Sequence, residues 1–312
     1  MHFVFLLYAL FASVFTVSKT GLQYTQPLFF VGTRMAMAGV LILTYLFLFR
    51  RDCFRLKSQD LWRVLRLSLF NIYLTNIFEF WGLQYLTSFK TCFIYSLSPF
   101  LSALFSYWLF SEKMTLGKWA GLVIGFLGFL PILLNESSAE EHIGHLFFLS
   151  WAEISVMCAA TCSVYGWILL RQLVKENEMS PLMANGISML LGGIMALGHS
   201  ALKENWNPIP VTEALPFLEC SLWLIVISNM ICYNLYGHLL KKFTATFISF
   251  AGFTTPLFTA LFGWFYLGEH VTLPFYISAA IVFCGLIVFY MEELKQGYYV
   301  QTPKHLIPIT EE

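Results

Sequence analysis

The chain has 312 residues, of which 58% are hydrophobic and 12% are charged, and its 18 basic and 18 acidic residues give a formal net charge of zero. A soluble domain has roughly 25% charged residues, so this chain has too few to cover a surface that faces water. The composition predicts an integral membrane protein, and the balanced charge without a basic tract argues against a nucleic-acid partner.

Ten segments are long and apolar enough to cross a bilayer, which takes about 20 residues. Because lipid cannot satisfy free backbone groups, we expect an all-α integral membrane fold with ten transmembrane helices. The first segment has no basic n-region and no small-residue cleavage site, so it is predicted to be a retained span rather than a signal peptide. The predicted spans are 2–18, 28–49, 64–86, 91–110, 116–134, 146–170, 182–202, 215–238, 244–267 and 273–291.

Basic residues predict the orientation of these spans. The loop after the second span contains six basic residues between Arg50 and Arg66, so the positive-inside rule makes it cytoplasmic. Alternation along the chain then places both termini in the cytoplasm, the second as a tail over 292–312. The loop from Asn135 to His145 has three Glu and no Lys or Arg, as an external loop should.

The sequence contains an internal repeat. Pro99 to Thr115 reads PFLSALFSYWLFSEKMT, and Pro256 to Thr272 reads PLFTALFGWFYLGEHVT, with a constant offset of 157 residues and six identical positions. The chain is therefore predicted to contain two copies of one unit, at 1–134 and 146–291. Each copy has five spans, an odd number, so the two copies must be inverted relative to each other. Inverted repeats in a polytopic protein are typical of transporters whose substrate site lies between the halves.

The repeated residues resemble a known family. With five plus five spans, the chain resembles the EamA-like branch of the drug/metabolite transporter superfamily, a resemblance supported also by Lys19 and Arg34. The sixth span departs from the family pattern, with Trp151, Glu153 and Cys158 where members usually have small apolar residues. The matching positions are Pro99, Ala103, Glu112 and Thr115 in the first copy and Pro256, Ala260, Glu269 and Thr272 in the second.

This resemblance implies a secondary transporter that moves a small polar metabolite. The third span with its Glu and Asn, together with the many aromatic residues, is similar to S-adenosylmethionine/S-adenosylhomocysteine exchangers of obligate intracellular bacteria. That similarity implies a bacterial inner membrane and exchange of these two substrates. The alternative is an amino-acid or drug/metabolite exporter of the same superfamily, and monomer and homodimer both remain open.

Polar residues within spans are costly in lipid, so they are the candidates for the substrate site. In the third span, Asn76 and Glu79 are three residues apart and share a helix face. Glu79 is expected to lie about 10 Å from the outer end of the span, where its carboxylate binds a cationic group or transfers a proton. The alternative is a purely structural pair with Arg34.

Arg34 in the second span has a similar expected depth. Its guanidinium can hold a substrate carboxylate through a forked hydrogen bond, or it can neutralise Glu79 or Glu153 permanently. Glu153 is also expected about 10 Å from the outer end of its span. The alternative for Glu153 is a position near enough to the surface to reach water.

The eighth span supplies candidates from the second copy. Matching Trp81-Gly82 to Tyr236-Gly237 places Asn234 opposite Glu79, so that Asn229, Tyr233 and Asn234 line one wall of a cavity. The alternative is hydrogen bonding between helices. A few rings in polar spans can stack on a purine or receive a cation, although packing is the alternative for each: Tyr8, Trp81, Tyr95, Tyr165 and Trp167.

The sequence argues against catalysis by this chain. No GxxxxGK[ST] motif is found, so transport must be driven by an ion gradient or by exchange, and neither an HExxH motif nor a recognisable nucleophile–base set occurs. The seven cysteines form no CxxC pair and have no histidine at ligand spacing, which predicts free thiols, no metal site and no cofactor. The expected partners are a small-molecule substrate and membrane lipid.

Overall fold

The described chain is almost entirely helical, as predicted. The computed structural model describes residues 2–51, 60–110, 114–134, 140, 142–175, 179–239 and 252–295. The first half contains α1 (His2–Gly21), α2 (Pro27–Phe49), α3 (Leu61–Leu67, Ser68–Leu74 and Thr75–Leu83), α4 (Ser88–Tyr95 and Ser98–Phe110) and α5 (Leu116–Gly128 and Leu130–Leu133). The second half contains α6 (Trp151–Lys175), α7 (Pro181–Lys203), α8 (Ala214–Trp223, Leu224–Cys232 and Tyr233–Leu239), α9 (Gly252–Thr254 and Thr255–Leu267) and α10 (Leu273–Lys295).

A short hairpin precedes the second half, and it corrects one predicted boundary. Strands β1 (His145–Leu146) and β2 (Leu149–Ser150) pair antiparallel, so the predicted span 146–170 begins too early. Helix α6 starts at Trp151 because Ser150 and Glu153 form a capping box. The Glu153 amide donates to Ser150 Oγ at 3.2 Å, and the Ser150 amide donates to Glu153 Oε2 at 2.8 Å.

The other predicted ends need smaller changes. Helix α10 continues to Lys295, four residues beyond the predicted end of the last span. The first part of the predicted ninth span, 244–251, and most of the predicted tail lie outside the described residues. Glu112, one of the repeated residues, also lies outside them.

The helices form a protein that crosses the membrane several times. Seven described stretches are long and apolar enough to span a bilayer, and they belong to α2, α4, α5, α6, α7, α8 and α10. Large apolar side chains point outward, since Phe49, Trp108 and Phe265 are 72%, 71% and 71% exposed. Lipid is the environment that such a surface requires. The described parts of α1, α3 and α9 add no further stretch of that kind, so the number of ten crossings stays a prediction.

Helices α2 and α7 pack closely through glycines. A Cβ atom at Gly39 would lie 2.5 Å from the backbone nitrogen of Leu190, and one at Gly193 would lie 2.4 Å from that of Ala36. No larger side chain fits at either position without moving backbone. The two helices, one from each half, are therefore in direct backbone contact, as small residues permit in membrane proteins.

Helices α5 and α10 form a second close pair. A Cβ atom at Gly121 would lie 2.7 Å from the carbonyl oxygen of Gly285, and one at Gly128 would lie 2.8 Å from the backbone nitrogen of Val282. Gly117, Gly121 and Gly125 recur every four residues in the sequence, and they lie on the face of α5 that contacts α10. This pair also joins the two halves.

The remaining helices pack around these pairs. Helix α3 packs on α6 and α7, and α8 packs on α1 and α2. Helix α1 also contacts α9, α6 also contacts α4, and α4 contacts α9. Each of these contacts brings together helices of opposite halves.

Regular helix geometry is interrupted at corresponding places in both halves. Ser68–Leu74 in α3 and Leu224–Cys232 in α8 are π-helical, a form that often occurs at functional sites. Helix α4 is interrupted at Ser96 and Leu97, just before Pro99, and α9 has a 3₁₀ turn just before Pro256. Proline has no N–H to donate to the preceding turn, which accounts for the irregular helix geometry before both prolines.

Candidate functional site

A cavity lies where α4 is interrupted and where the described part of α9 begins. Ser96 and Ser98 of α4 and Gly252 and Thr255 of α9 line it, and α1, α2, α3, α6 and α8 form its other walls. Irregular backbone is tolerated in a membrane protein where it borders such a cavity rather than lipid. Helices of both halves therefore enclose this space.

Arg34 of α2 supplies the positive charge of the cavity. Its side chain is only 2% exposed, and its Nη2 and Nη1 atoms donate to Asn76 Oδ1 at 2.5 Å and to Asn229 Oδ1 at 3.2 Å. The guanidinium lies 4.7 Å from the centre of the Phe80 ring. Among the described atoms, Arg34 Nε has no hydrogen-bond partner. The two neutral amides fix the guanidinium while leaving its charge and a donor free for a ligand.

Glu79 of α3 supplies a negative charge in the same cavity. Its carboxylate accepts a hydrogen bond from the Tyr95 hydroxyl at 2.7 Å. The Glu79 residue is 9% exposed and lines the cavity with Asn76, which lies on the same helix face. The described residues show no ion pair between Glu79 and Arg34 within 4.0 Å, so the structural pair left open by the sequence is not formed.

Three aromatic side chains of the second half form the wall of the cavity contributed by α6 and α8. The rings of Trp167 and Tyr236 are stacked, with centroids 4.0 Å apart and an interplanar angle of 30°. The Tyr233 ring lies 5.2 Å from that of Trp167, and all three residues line the cavity. We call Trp167, Tyr233 and Tyr236 the aromatic wall, and Arg34, Asn76, Glu79 and Tyr95 the charged wall. The charged wall belongs entirely to the first half.

The structure brings together four of the eight predicted site residues, namely the charged wall. Asn229 does not line the cavity but is fully buried behind it, where its side chain holds Arg34. Asn234 does not line it either, because its side chain accepts from Asn185 Nδ2 at 2.9 Å and donates to the Met230 carbonyl at 2.8 Å. Tyr165 packs instead against Phe70, with ring centroids 4.9 Å apart.

Glu153 lies away from the cavity, and both predicted positions, deep in a span and near enough to the surface to reach water, are wrong. It sits in the first turn of α6 rather than deep in a span, and it is fully buried rather than near water. Lys90 Nζ lies 2.8 Å from a carboxylate oxygen of Glu153 and 2.8 Å from one of Glu140. These three charges and Ser150 form a buried ionic cluster that ties α4 to the loop before α6 and to α6 itself.

Two further charged residues stabilise helix ends. Lys19 Nζ donates to the carbonyl oxygens of Leu83 and Leu86, both at 2.7 Å, which satisfies the end of α3. Glu269 accepts from the amide and the hydroxyl of Ser88 at 2.8 and 2.7 Å, at the start of α4. A carboxylate is favourable at a helix N-terminus, so Glu269 has a structural role at the start of α4.

The fold and the enclosed two-sided cavity define a multi-pass membrane transporter. The EamA-like transporter family model matches residues 1–134 and 150–291. The chain belongs to the EamA-like transporter family, which confirms the resemblance inferred from the repeated residues. The expectation of a transporter rather than an enzyme is confirmed by the same match.

Individual relatives cover nearly the whole chain. It is 39% identical over 300 residues to a Chlamydia muridarum protein named S-adenosylmethionine/S-adenosylhomocysteine transporter, covering 96% of this chain and 94% of that one. A Chlamydia trachomatis protein of the same name is 39% identical over 296 residues, covering 95% and 90%. A solved crystal structure of another protein shares the fold, with a TM-score of 0.68, 14% identity and coverage of 95% and 96%.

Proposed function

We propose that this chain exchanges S-adenosylmethionine for S-adenosylhomocysteine across a bacterial inner membrane. The names and full-length similarity of the chlamydial relatives support this substrate pair. The observation on which the proposal rests is the two-sided cavity, with ionic groups on one wall and stacked rings on the other. Both substrates have the same two-sided chemistry, an amino-acid end and an adenine end.

Arg34 is proposed to bind the carboxylate of the amino-acid end. A guanidinium has five N–H donors, and the amides of Asn76 and Asn229 occupy only two of them. The unpartnered Nε and the remaining N–H groups are available for a forked contact with a carboxylate. Asn76 and Asn229 then act as positioning residues for Arg34.

Glu79 is proposed to bind the ammonium group. Its only hydrogen bond among the described residues comes from the Tyr95 hydroxyl, which holds one carboxylate oxygen and leaves the other able to accept. The ammonium and carboxylate of an α-amino acid are close together, so adjacent positions of Glu79 and Arg34 on one wall suit them. The sulfonium lies a short carbon chain further on.

The aromatic wall is proposed to bind the adenine ring. Stacking of a base on an aromatic side chain contributes about 1–3 kcal/mol. Trp167 and Tyr236 already stack on each other, and Tyr233 adjoins them, so the cavity presents flat apolar surface on that side. This arrangement discriminates against free amino acids, which have no ring to place there.

Alternating access is proposed to come from two inverted five-helix repeats, at 1–134 and 146–291. The helix contacts support this. If each helix is replaced by its counterpart in the other half (α1 by α6, α2 by α7, and so on, in both directions), the contacting pairs α2–α7, α5–α10 and α4–α9 remain the same pairs. The same replacement turns the contact α3–α6 into α1–α8, α1–α9 into α4–α6, and α2–α8 into α3–α7, and all six of these contacts are present. A pairing pattern that survives this exchange is expected of two halves related by a two-fold axis.

The proposed topology has ten crossings and both termini in the cytoplasm, following the distribution of Lys and Arg. The cavity is enclosed by helices of a single chain. The proposed site needs residues of one chain only, and both a monomer and a homodimer fit this proposal.

Counterflow in proteoliposomes tests the proposed function. Purified protein is reconstituted into vesicles loaded with unlabelled S-adenosylhomocysteine, and uptake of labelled S-adenosylmethionine is measured. We expect saturable uptake that depends on the internal substrate and that excess adenosine and methionine inhibit much less than either full substrate. Uptake that is equal with empty vesicles, or that leucine or another amino acid inhibits fully, would refute the proposal.

A further inference from the structure

The charges around the cavity determine whether exchange moves net charge. This inference rests on the proposed function. S-adenosylmethionine and S-adenosylhomocysteine share one carboxylate and one ammonium, and they differ by a methyl group and the positive charge of the sulfonium. The first substrate therefore has a net charge of +1 near neutral pH and the second has none.

The described residues that line the cavity include one basic and one acidic side chain, Arg34 and Glu79. The other titratable side chains that face them come from α1, α4 and α8 and are neutral near pH 7 as tyrosine and cysteine: Tyr8, Cys92, Tyr95, Tyr233 and Tyr236. The sequence between Leu239 and Gly252, which lies outside the described residues, contains Lys241 and Lys242 and no Asp or Glu. The part of the cavity lining that the structure describes thus has one fixed charge of each sign.

Each fixed charge is matched by a group that both substrates possess. Arg34 pairs with the carboxylate and Glu79 with the ammonium, whichever substrate is bound. Glu79 has the same cationic partner whichever substrate is bound. We therefore expect its protonation state to be the same when S-adenosylmethionine is carried and when S-adenosylhomocysteine is carried. The extra charge of S-adenosylmethionine then has no ionic counterpart on the described walls and faces rings and hydroxyls, where cation–π contact can hold it.

We propose that each exchange cycle moves one uncompensated positive charge, the sulfonium, across the membrane with S-adenosylmethionine. One substrate enters with charge +1, the other leaves with charge zero, and the protein returns with its own charges unchanged. A membrane potential that is negative inside therefore drives uptake of S-adenosylmethionine and export of S-adenosylhomocysteine, with no need for a coupled proton or sodium ion. The asymmetric substrate pair makes the exchanger directional.

Potassium diffusion potentials in proteoliposomes test this inference. Vesicles containing the full chain, valinomycin and a tenfold outward potassium gradient have an internal potential of about −59 mV, which multiplies the equilibrium constant of a one-charge exchange by about ten. With S-adenosylhomocysteine inside and labelled S-adenosylmethionine outside, the final exchange ratio should rise about tenfold relative to equal potassium. Reversing the gradient should lower it by the same factor.

Homoexchange provides a matched control with the same protein. Exchange of labelled for unlabelled S-adenosylhomocysteine moves no net charge, so its final ratio should not respond to the potential. If heteroexchange occurs but also ignores the potential, or instead follows an imposed pH gradient, the inference is overturned while the proposed function stands. If neither substrate shows counterflow, the proposed function itself fails.

Discussion

Replacing Glu79 by glutamine removes the negative charge of the cavity with little change in shape. The glutamine carbonyl can still accept the hydrogen bond that the Tyr95 hydroxyl now donates at 2.7 Å, so the local structure should persist. The charge-assisted contact with the substrate ammonium is lost. Hydrogen bonds to charged groups contribute about 1.5–3 kcal/mol, which corresponds to a rise in the half-saturation concentration of about 10- to 150-fold.

The assay is counterflow of labelled S-adenosylmethionine, and separately of S-adenosylhomocysteine, over a range of external concentrations. Both substrates should be affected to a similar extent, because both present the same ammonium group. Glu219→Gln is the matched control, since Glu219 is an exposed residue at the start of α8 and lies outside the cavity. An unchanged half-saturation concentration in the Glu79 variant, or an equal change in the control, would refute the placement of Glu79 at the ammonium.

Three further predictions concern other parts of the structure. Trp167→Ala should raise the half-saturation concentration of both substrates about 5- to 150-fold, because stacking of one base contributes about 1–3 kcal/mol. Lys90→Met leaves two buried carboxylates without their cation, so the protein should lose about 3–5 kcal/mol of stability, measured by thermal unfolding in detergent. Gly193→Ala should destabilise by about 1–3 kcal/mol, because its Cβ would lie 2.4 Å from the Ala36 backbone nitrogen. Gly198→Ala on the same helix is the control: a Cβ at this position would meet open space, so stability should be unchanged.

Each of these three has an outcome that contradicts it. Unchanged half-saturation concentrations for both substrates in the Trp167 variant would show that this ring does not bind the adenine. An unfolding temperature equal to that of the unmodified protein in the Lys90 variant would mean that the buried cluster contributes nothing to stability. Equal unfolding temperatures for the two glycine variants would show that α2 and α7 are not in backbone contact.

The sequence predicted the helices well because each span sums the hydropathy of about 20 residues, and single polar residues do not erase that signal. It also predicted the charged wall, since a buried Glu, Arg or Asn in a span is conspicuous against apolar neighbours. The start of α6 was misjudged although its signal was present. Ser150 and Glu153 have the spacing of a capping box, which marks a helix N-terminus in sequence.

The position of Asn234 could not be read from the repeat. Aligning Asn234 with Glu79 assumes the same helix geometry in α3 and α8, yet the π-helical stretch is seven residues long in α3 and nine in α8. Each residue added to a helix rotates the residues after it by about 100°. In α8, Tyr233 and Tyr236 therefore line the cavity, while Asn234 turns to Asn185.

The aromatic wall was only partly foreseen. Trp167 was one of several candidate rings, but nothing in the sequence separated it from rings that pack between helices. In lipid, the inner and outer faces of a helix are both apolar, so hydrophobicity does not reveal which face points inward. The stacking of Trp167 on Tyr236 depends on the rotation of α6 relative to α8, which only the three-dimensional structure supplies.

The placement of the substrate between the two walls is tested most directly by photolabelling with 8-azido-S-adenosylmethionine. The azide is on the adenine ring, so irradiation of the reconstituted protein should label peptides that contain Trp167, Tyr233 or Tyr236, as identified by mass spectrometry. Excess S-adenosylhomocysteine should prevent this labelling. Labelling confined to peptides that do not border the cavity, or labelling that excess substrate leaves unchanged, would contradict the account.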